Sequence, residues 1–201
     1  MHAMEKDGNL SKAAFPLSQS QENIWNLEIA HPGLPINNIS SILNIGGRLD
    51  IPMLKTAVCR LIALTPALRT RIRVSGGVPV QFVADDVLDH VPFFDFTMTG
   101  MEGVEEWSLS VAREAMPVLD APLYFCAIFK RANGTGGVLL KVHHLISDAW
   151  SQGLILNRLA EMYLSLLTGK EPDLSPFPPY EAHIQAENAY LASPAKARDE
   201  A

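Results

Sequence analysis

The residues of this chain best suited to chemistry stand together at His143-His144-Leu145-Ile146-Ser147-Asp148-Ala149. An apolar run, Val138–Val142, precedes them, and a pattern of helical period, Trp150–Leu167, follows. Imidazole, with an unperturbed pKa of about 6.5, takes and returns protons near neutrality. A histidine at a strand end, with an acid at the start of the next helix, suits acyl-transfer chemistry. Successive side chains on a strand point to opposite faces, so one histidine is expected to lock the turn and the other to face reacting groups. Both rings need partners, because burying a polar group unsatisfied costs about 1–3 kcal/mol. Two satisfied structural histidines are the plainer alternative. No metal site is expected, since adjacent histidines are poor joint ligands and no third ligand clusters nearby.

Asp148 supports two readings that can coexist. It can cap the helix beginning at Ala149, or form a buried ion pair that steadies the histidine loop. Arg69, in Leu68-Arg69-Thr70, is the best candidate partner. Arg69, Arg71 and Arg73 alternate along one strand, and for Arg71 and Arg73 a solvated basic stripe is the competing reading.

The elements that must position these residues follow from periodicity and turn chemistry. Ser18 is expected to cap a helix over Gln19–Ile29, and Ile39–Ile45 reads as a strand ending at Gly46-Gly47. Pro52 fits the first turn of a helix whose apolar face is Leu54, Ala57, Val58, Leu61 and Ile62. Leu68–Val74 and Val78–Val83 bracket a hairpin turn at Ser75-Gly76-Gly77. His90–Phe94 reads as an edge strand and Glu102–Ala115 as a helix. Leu123–Lys130 and Gly137–Val142 form a second hairpin around Asn133-Gly134-Thr135-Gly136. Trp150–Leu167 is a long helix ended by Gly169 and Pro172. After a proline-rich link, Tyr180–Leu191 starts another helix that looks built to pack on something.

Strands alternating with helices imply an α/β or α+β class with helices packed on a mixed sheet. The expected fold is α/β, a two-layer sandwich with a mixed sheet covered by helices. The 201 residues suit one domain with a real core. A net charge of −6 argues against a general nucleic-acid or anionic-membrane binder. Cys59 and Cys126 sit in apolar runs and read as small buried hydrophobes. No secretory segment or membrane-spanning run is present, so the expected location is cytoplasmic. Residues 1–14 read as a disordered leader.

At the histidine motif the chain resembles the condensation domains of nonribosomal peptide synthetases, within the chloramphenicol-acetyltransferase-like superfamily. That family carries His-His-x-x-x-Asp-Gly, usually followed by Trp-Ser, matched here by His143 to Ser151. An earlier motif, Ser-x-Ala-Gln-x-Arg-(Leu/Met)-Trp-x-Leu, is matched by Ser18 to Leu27, with Ser18, Gln21 and Trp25 kept. A third, Arg-His-Glu-x-Leu-Arg-Thr, survives as Leu64 to Thr70. Ala149 replaces the motif glycine, Asn23 an arginine, Ser20 an alanine, and Leu64-Thr65-Pro66 the Arg-His-Glu.

The resemblance implies amide-bond formation between an upstream acyl or peptidyl thioester and a downstream aminoacyl amine. Both arrive on 4′-phosphopantetheine arms of upstream and downstream peptidyl carrier proteins, so no cofactor is bound directly. The active-site histidine maps to His144, with His143, Asp148 and Arg69 in supporting roles. Backbone around Ala149, Trp150 and Ser151, at a helix start, is expected to anchor a substrate carbonyl. The chain reads as the family's N-terminal lobe over 15–179. Residues 180–201 then start the connection to a C-terminal lobe that is missing here. The isolated lobe is expected to be inactive and to self-associate through uncovered apolar surface. A stand-alone acyltransferase, an epimerising relative and a non-catalytic carrier-docking module are the alternatives.

Overall fold

Residues 136–143 form the strand on which the architecture is built. The segment Gly-Gly-Val-Leu-Leu-Lys-Val-His is buried at all eight positions, so both of its faces must be covered. The computed structural model describes residues 14–85, 88, 90–193 and 196. The leader expected over 1–14 therefore lies, save for Ala14, outside the described residues.

In chain order the elements are β1 (Phe15–Pro16), α1 (Gln19–Ala30), β2 (Asn38–Ile45), α2 (Ile51–Leu64), β3 (Thr70–Ser75) and β4 (Val78–Val83). Then come β5 (Phe93–Phe96), α3 (Gly100–Arg113), β6 (Tyr124–Arg131), β7 (Gly136–His143), α4 (Ala149–Leu167) and α5 (Tyr180–Leu191). Short 3-10 turns occupy Pro35–Asn37 and Pro66–Arg69. One sheet has the order β2-β7-β6-β5 and the other β1-β4-β3. The pairings are antiparallel except β5 with β6, which is parallel. The expected α/β class with a mixed sheet is what the chain adopts.

On one face of the larger sheet, Cys126, Ile128, Val138, Leu140 and Val142 meet α2 through Leu54, Val58, Leu61 and Ile62. They meet α4 through Ile155, Leu159, Met162 and Tyr163. Alternation turns Phe129 and Lys141 to the other face, where α3 adds a cover beyond the two expected layers. There Trp107 lies 4.7, 5.4 and 6.0 Å, centroid to centroid, from Phe94, Phe96 and Phe129. Lys141 donates from Nζ to the carbonyls of Val111 and Glu114, 2.9 Å each, closing the C-terminal end of α3. Burial lowers the pKa of this amine, while Glu114 acts in the opposite sense.

Local chemistry explains the boundaries. Ser18 and Gln21 form a reciprocal capping box at α1. Asp50 caps α2, accepting from Met53 N–H, with Pro52 in its first turn. Gly76 and Gly77, at φ 60° and 83°, make the two-residue turn between β3 and β4. The helix over Tyr180–Leu191 does find a platform: Ile184 is buried, Tyr180 Oη lies 3.1 Å from Ser18 Oγ, and Gln19 N–H donates to Glu187 Oε2 at 3.0 Å.

The basic stripe reading fails at Arg71, which is buried and donates from Nη1 to the carbonyls of Leu68 and Thr70. Arg73 stacks 3.8 Å from the Phe82 ring centre and sits 3.4 Å from Asp120 Oδ1. Cys126 is buried, which pushes its thiol up to about 12, and Cys59 is half-buried; neither is in a disulfide. No helix among the described residues is long and apolar enough to cross a membrane.

Candidate active site

The motif sits where β7 leaves the sheet. His143 ends the strand, and a turn over residues 144–147 leads to Asp148, the N-cap of α4. The two histidines divide as strand alternation requires. His143 is 2% exposed and turned into the protein; His144 is exposed and lines a cavity of about 370 Å³.

The His143 ring bridges two elements. Its Nδ1 accepts the Leu145 N–H at 3.1 Å, and its Nε2 lies 3.2 Å from Glu28 Oε2 on α1. An acceptor Nδ1 places the proton on Nε2, pointing at the carboxylate, so the ring is neutral and fully bonded. Burial lowers its pKa, outweighing the Glu28 carboxylate, which raises it. Backbone bonds complete the turn. His143 N–H donates to Leu123 O (2.9 Å), His144 N–H to Asn37 O (2.8 Å) and Ile146 N–H to His143 O (3.1 Å).

Gln21 explains why the first motif belongs to this site. Its Nε2 donates to Leu145 O at 2.7 Å, and its amide pairs reciprocally with Gln81 on β4, at 3.0 and 2.6 Å. Gln81 in turn donates to Pro16 O at 3.0 Å. Gln21 thus ties the histidine turn to the smaller sheet. Ser18 is fully buried, and Trp25 packs beside Leu17, Ile72, Leu123 and Leu145, so Trp25 supports the site from behind.

Asp148 takes the capping role. Its Oδ1 accepts the Ser151 N–H at 2.7 Å, and this bond chiefly holds its carboxyl below the usual carboxylate range. The expected ion pair with Arg69 is not formed. Arg69 ends a 3-10 turn and donates from Nη1 to Ala84 O at 2.8 Å, while Ala84 N–H donates to Arg69 O at 2.9 Å. The backbone bond extends the β3–β4 ladder by a step, and the side-chain bond turns the guanidinium to that strand end. Arg69 does not line the cavity.

The cavity brings His144, Asp148 and Ser151 together with Gln21, Gln81, Thr65 and Thr70. Its apolar walls come from Ile24, Leu154, Ile155 and Phe177, and Tyr180 closes one side. Ala149 and Trp150 lie outside the lining, and Trp150 is 78% exposed. Asp120 alone among the described non-glycine residues has positive φ, so Ala149 adopts an ordinary helical conformation that needs no glycine.

Spacing alone does not reveal Glu28, Asn37, Gln81 and Gln152. Gln152 accepts from Ser41 Oγ at 2.6 Å and donates to Ile39 O and Leu140 O at 3.2 and 3.1 Å, locking α4 onto β2 and β7. The available signal is a lone amide or acid inside an apolar pattern, which needs a partner when buried.

The site thus presents a histidine at a strand end into a cavity, beside a helix N-terminus. Residues 11–201 match the condensation domain family model, and the chain belongs to that family. It is 26% identical over 192 residues to surfactin synthase subunit 1 of Bacillus subtilis (strain 168), covering 93% of this chain and 5% of that protein. With tyrocidine synthase 3 of Brevibacillus parabrevis it shares 31% over 150 residues, 74% of this chain and 2% of that one. The first condensation domain of the CDA synthetase superposes with a TM-score of 0.84 at 23% identity, covering 94% of this chain and 49% of that structure. The starter condensation domain of the rhizomide synthetase RzmA gives 0.85 at 22%, covering 94% and 46%. The chain thus spans about half of the solved condensation domains and a small fraction of the synthetases it resembles.

Proposed function

We propose that this chain supplies the histidine-bearing, N-terminal lobe of a condensation domain in nonribosomal peptide synthesis. The observation that carries the reading is His144, held at the end of a buried strand and presented into a cavity. The family match supports it. In the reaction, the amine of a downstream aminoacyl thioester attacks the carbonyl carbon of an upstream acyl or peptidyl thioester. A C–N bond forms, the C–S bond breaks, and the amine proton ends on the departing thiolate.

His144 accepts a hydrogen bond from the attacking amine, orients its lone pair and eases loss of its proton, an effect worth about 10²–10⁴-fold in comparable sites. His143, Gln21 and Asp148 fix the turn on which His144 rides. The substrates ride on 4′-phosphopantetheine arms of carrier proteins, and two cysteines outside any disulfide suit a reducing cytoplasm.

The test is product formation by the full polypeptide with loaded carriers. His144→Ala is expected to abolish turnover while leaving the fold intact. Unchanged product formation would overturn the reading in favour of a carrier-docking module. Because the chain spans about half of the solved domains, purified residues 1–201 are expected to show negligible condensation. They are expected to self-associate through Leu27, Ile29, Leu34 and Ile36, all exposed. Robust turnover by a monomer of these residues, measured with light scattering alongside, would refute both statements.

A further inference from the structure

We propose that Glu28 is a positioning residue for His144, acting through two hydrogen-bonded branches that fix the peptide groups on either side of the catalytic side chain. The inference rests on the catalytic reading of His144 and assigns a role to a residue outside the three motifs' characteristic positions. One carboxylate oxygen, Glu28 Oε2, accepts from Asn37 Nδ2 at 2.7 Å and faces His143 Nε2 at 3.2 Å.

The first branch continues from Asn37, whose carbonyl accepts the N–H of His144 itself at 2.8 Å. The second continues through the His143 ring, whose Nδ1 accepts the N–H of Leu145 at 3.1 Å. The amide before His144 Cα and the amide after it are therefore anchored to the two residues that Glu28 joins. Glu28 is 11% exposed and His143 2%, so water competes weakly for these bonds.

The acceptor oxygen also sets a tautomer. With Nε2–H committed to Glu28, Nδ1 keeps the lone pair that the Leu145 N–H requires. Withdrawing the oxygen frees the ring to turn or to move its proton to Nδ1, and the Leu145 N–H then loses its acceptor. His144 would shift with its backbone, and a displacement of about 1 Å from attack geometry can cost about 10²-fold in rate.

Glu28→Asp withdraws the carboxylate by one methylene, and Glu28→Gln keeps an acceptor oxygen in place. In the full polypeptide with loaded carriers, Glu28→Asp is expected to lower kcat by on the order of tenfold to a hundredfold, with KM for the carriers unchanged. Glu28→Gln is expected to restore most of the loss. Asn37→Ala severs one branch and is expected to act in the same direction at smaller size, which keeps the idea testable should Glu28→Asp fold poorly. Side-chain 15N spectra of the purified chain supply a readout independent of turnover. The wild type and Glu28→Gln should show His143 protonated at Nε2 alone, and Glu28→Asp should show loss of that signature.

Wild-type kcat and an unchanged His143 signature in both Glu28→Asp and Asn37→Ala would overturn the proposal, as would Glu28→Gln falling as far as Glu28→Asp. His144→Ala, run in parallel, separates the two claims. If it abolishes turnover while the Glu28 and Asn37 variants are silent, only the positioning role fails. If it is silent, the catalytic reading itself fails.

Discussion

Asp148 shows how one side chain settles between two physically reasonable partners. A carboxylate at a helix start has a backbone N–H within local reach, whereas an arginine far along the chain must be delivered by the tertiary fold. The local partner prevails here: Asp148 binds Ser151 N–H, and Arg69 binds Ala84 O. Asp148→Ala should cost about 1 kcal/mol of stability, within the 0.5–2 range for lost caps, and Asp148→Asn much less, as read by urea midpoints. His143 makes a second prediction. Its native pKa lies below the ordinary value, so the unfolded chain binds the proton more readily. Its neutral native form is unpenalised above about pH 6.5, and stability is lost as pH falls from there through the native pKa. Denaturant titrations at several pH values should show this loss in the wild type and a flatter profile in His143→Gln. Equal profiles would refute the neutral assignment.

At the scale of elements, β7 and α4 place opposite demands on glycine. A methyl on Gly136 would meet the Phe129 carbonyl, and one on Gly137 the Leu43 carbonyl, because neighbouring strands close on both sides. Gly153, in the second turn of α4, has nothing within 4 Å of an added Cβ. Gly137→Ala should therefore destabilise by about 1–3 kcal/mol or more, and Gly153→Ala should stabilise by about 0.5–1 kcal/mol. Matching urea midpoints for the two would contradict this account. The elements are legible in the sequence because their signals are local: Ser18 with Gln21, Asp50 before Pro52, Gly76-Gly77 between apolar runs. Layering is less so. That α3 covers the second face depends on Trp107 meeting Phe94, Phe96 and Phe129, contacts no periodicity announces.

Across the whole molecule, protection should be uneven. β6 and β7 are paired on both sides and sandwiched between helices, whereas α5 is held by Ile184 and a few polar contacts near α1. Amide exchange should be slowest in β6 and β7 and fastest in α5; the reverse order would contradict the layering described. The same scale explains what the sequence conceals about the site. His144, Asp148 and Ser18 stand out by spacing. Glu28 bonds a ring 115 residues away, and Gln21 an amide 60 residues away. Such partners are chosen by the path of the chain through space, which is also why spacing points Arg69 to the wrong partner.

The alternation of His143 and His144 carries an evolutionary consequence. Adjacent residues face separate environments, one buried and keeping the turn folded, the other open to the cavity. Drift at position 144 would therefore erase the proposed chemistry without leaving a trace in the fold, and a lineage could keep such a lobe as a folded, silent scaffold. Drift at position 143 has no such refuge, because it strips the Leu145 N–H and Glu28 of a shared partner. The order of decay in this lobe is thus set in advance: the proposed activity can be lost first and alone, whereas architecture cannot be lost without it.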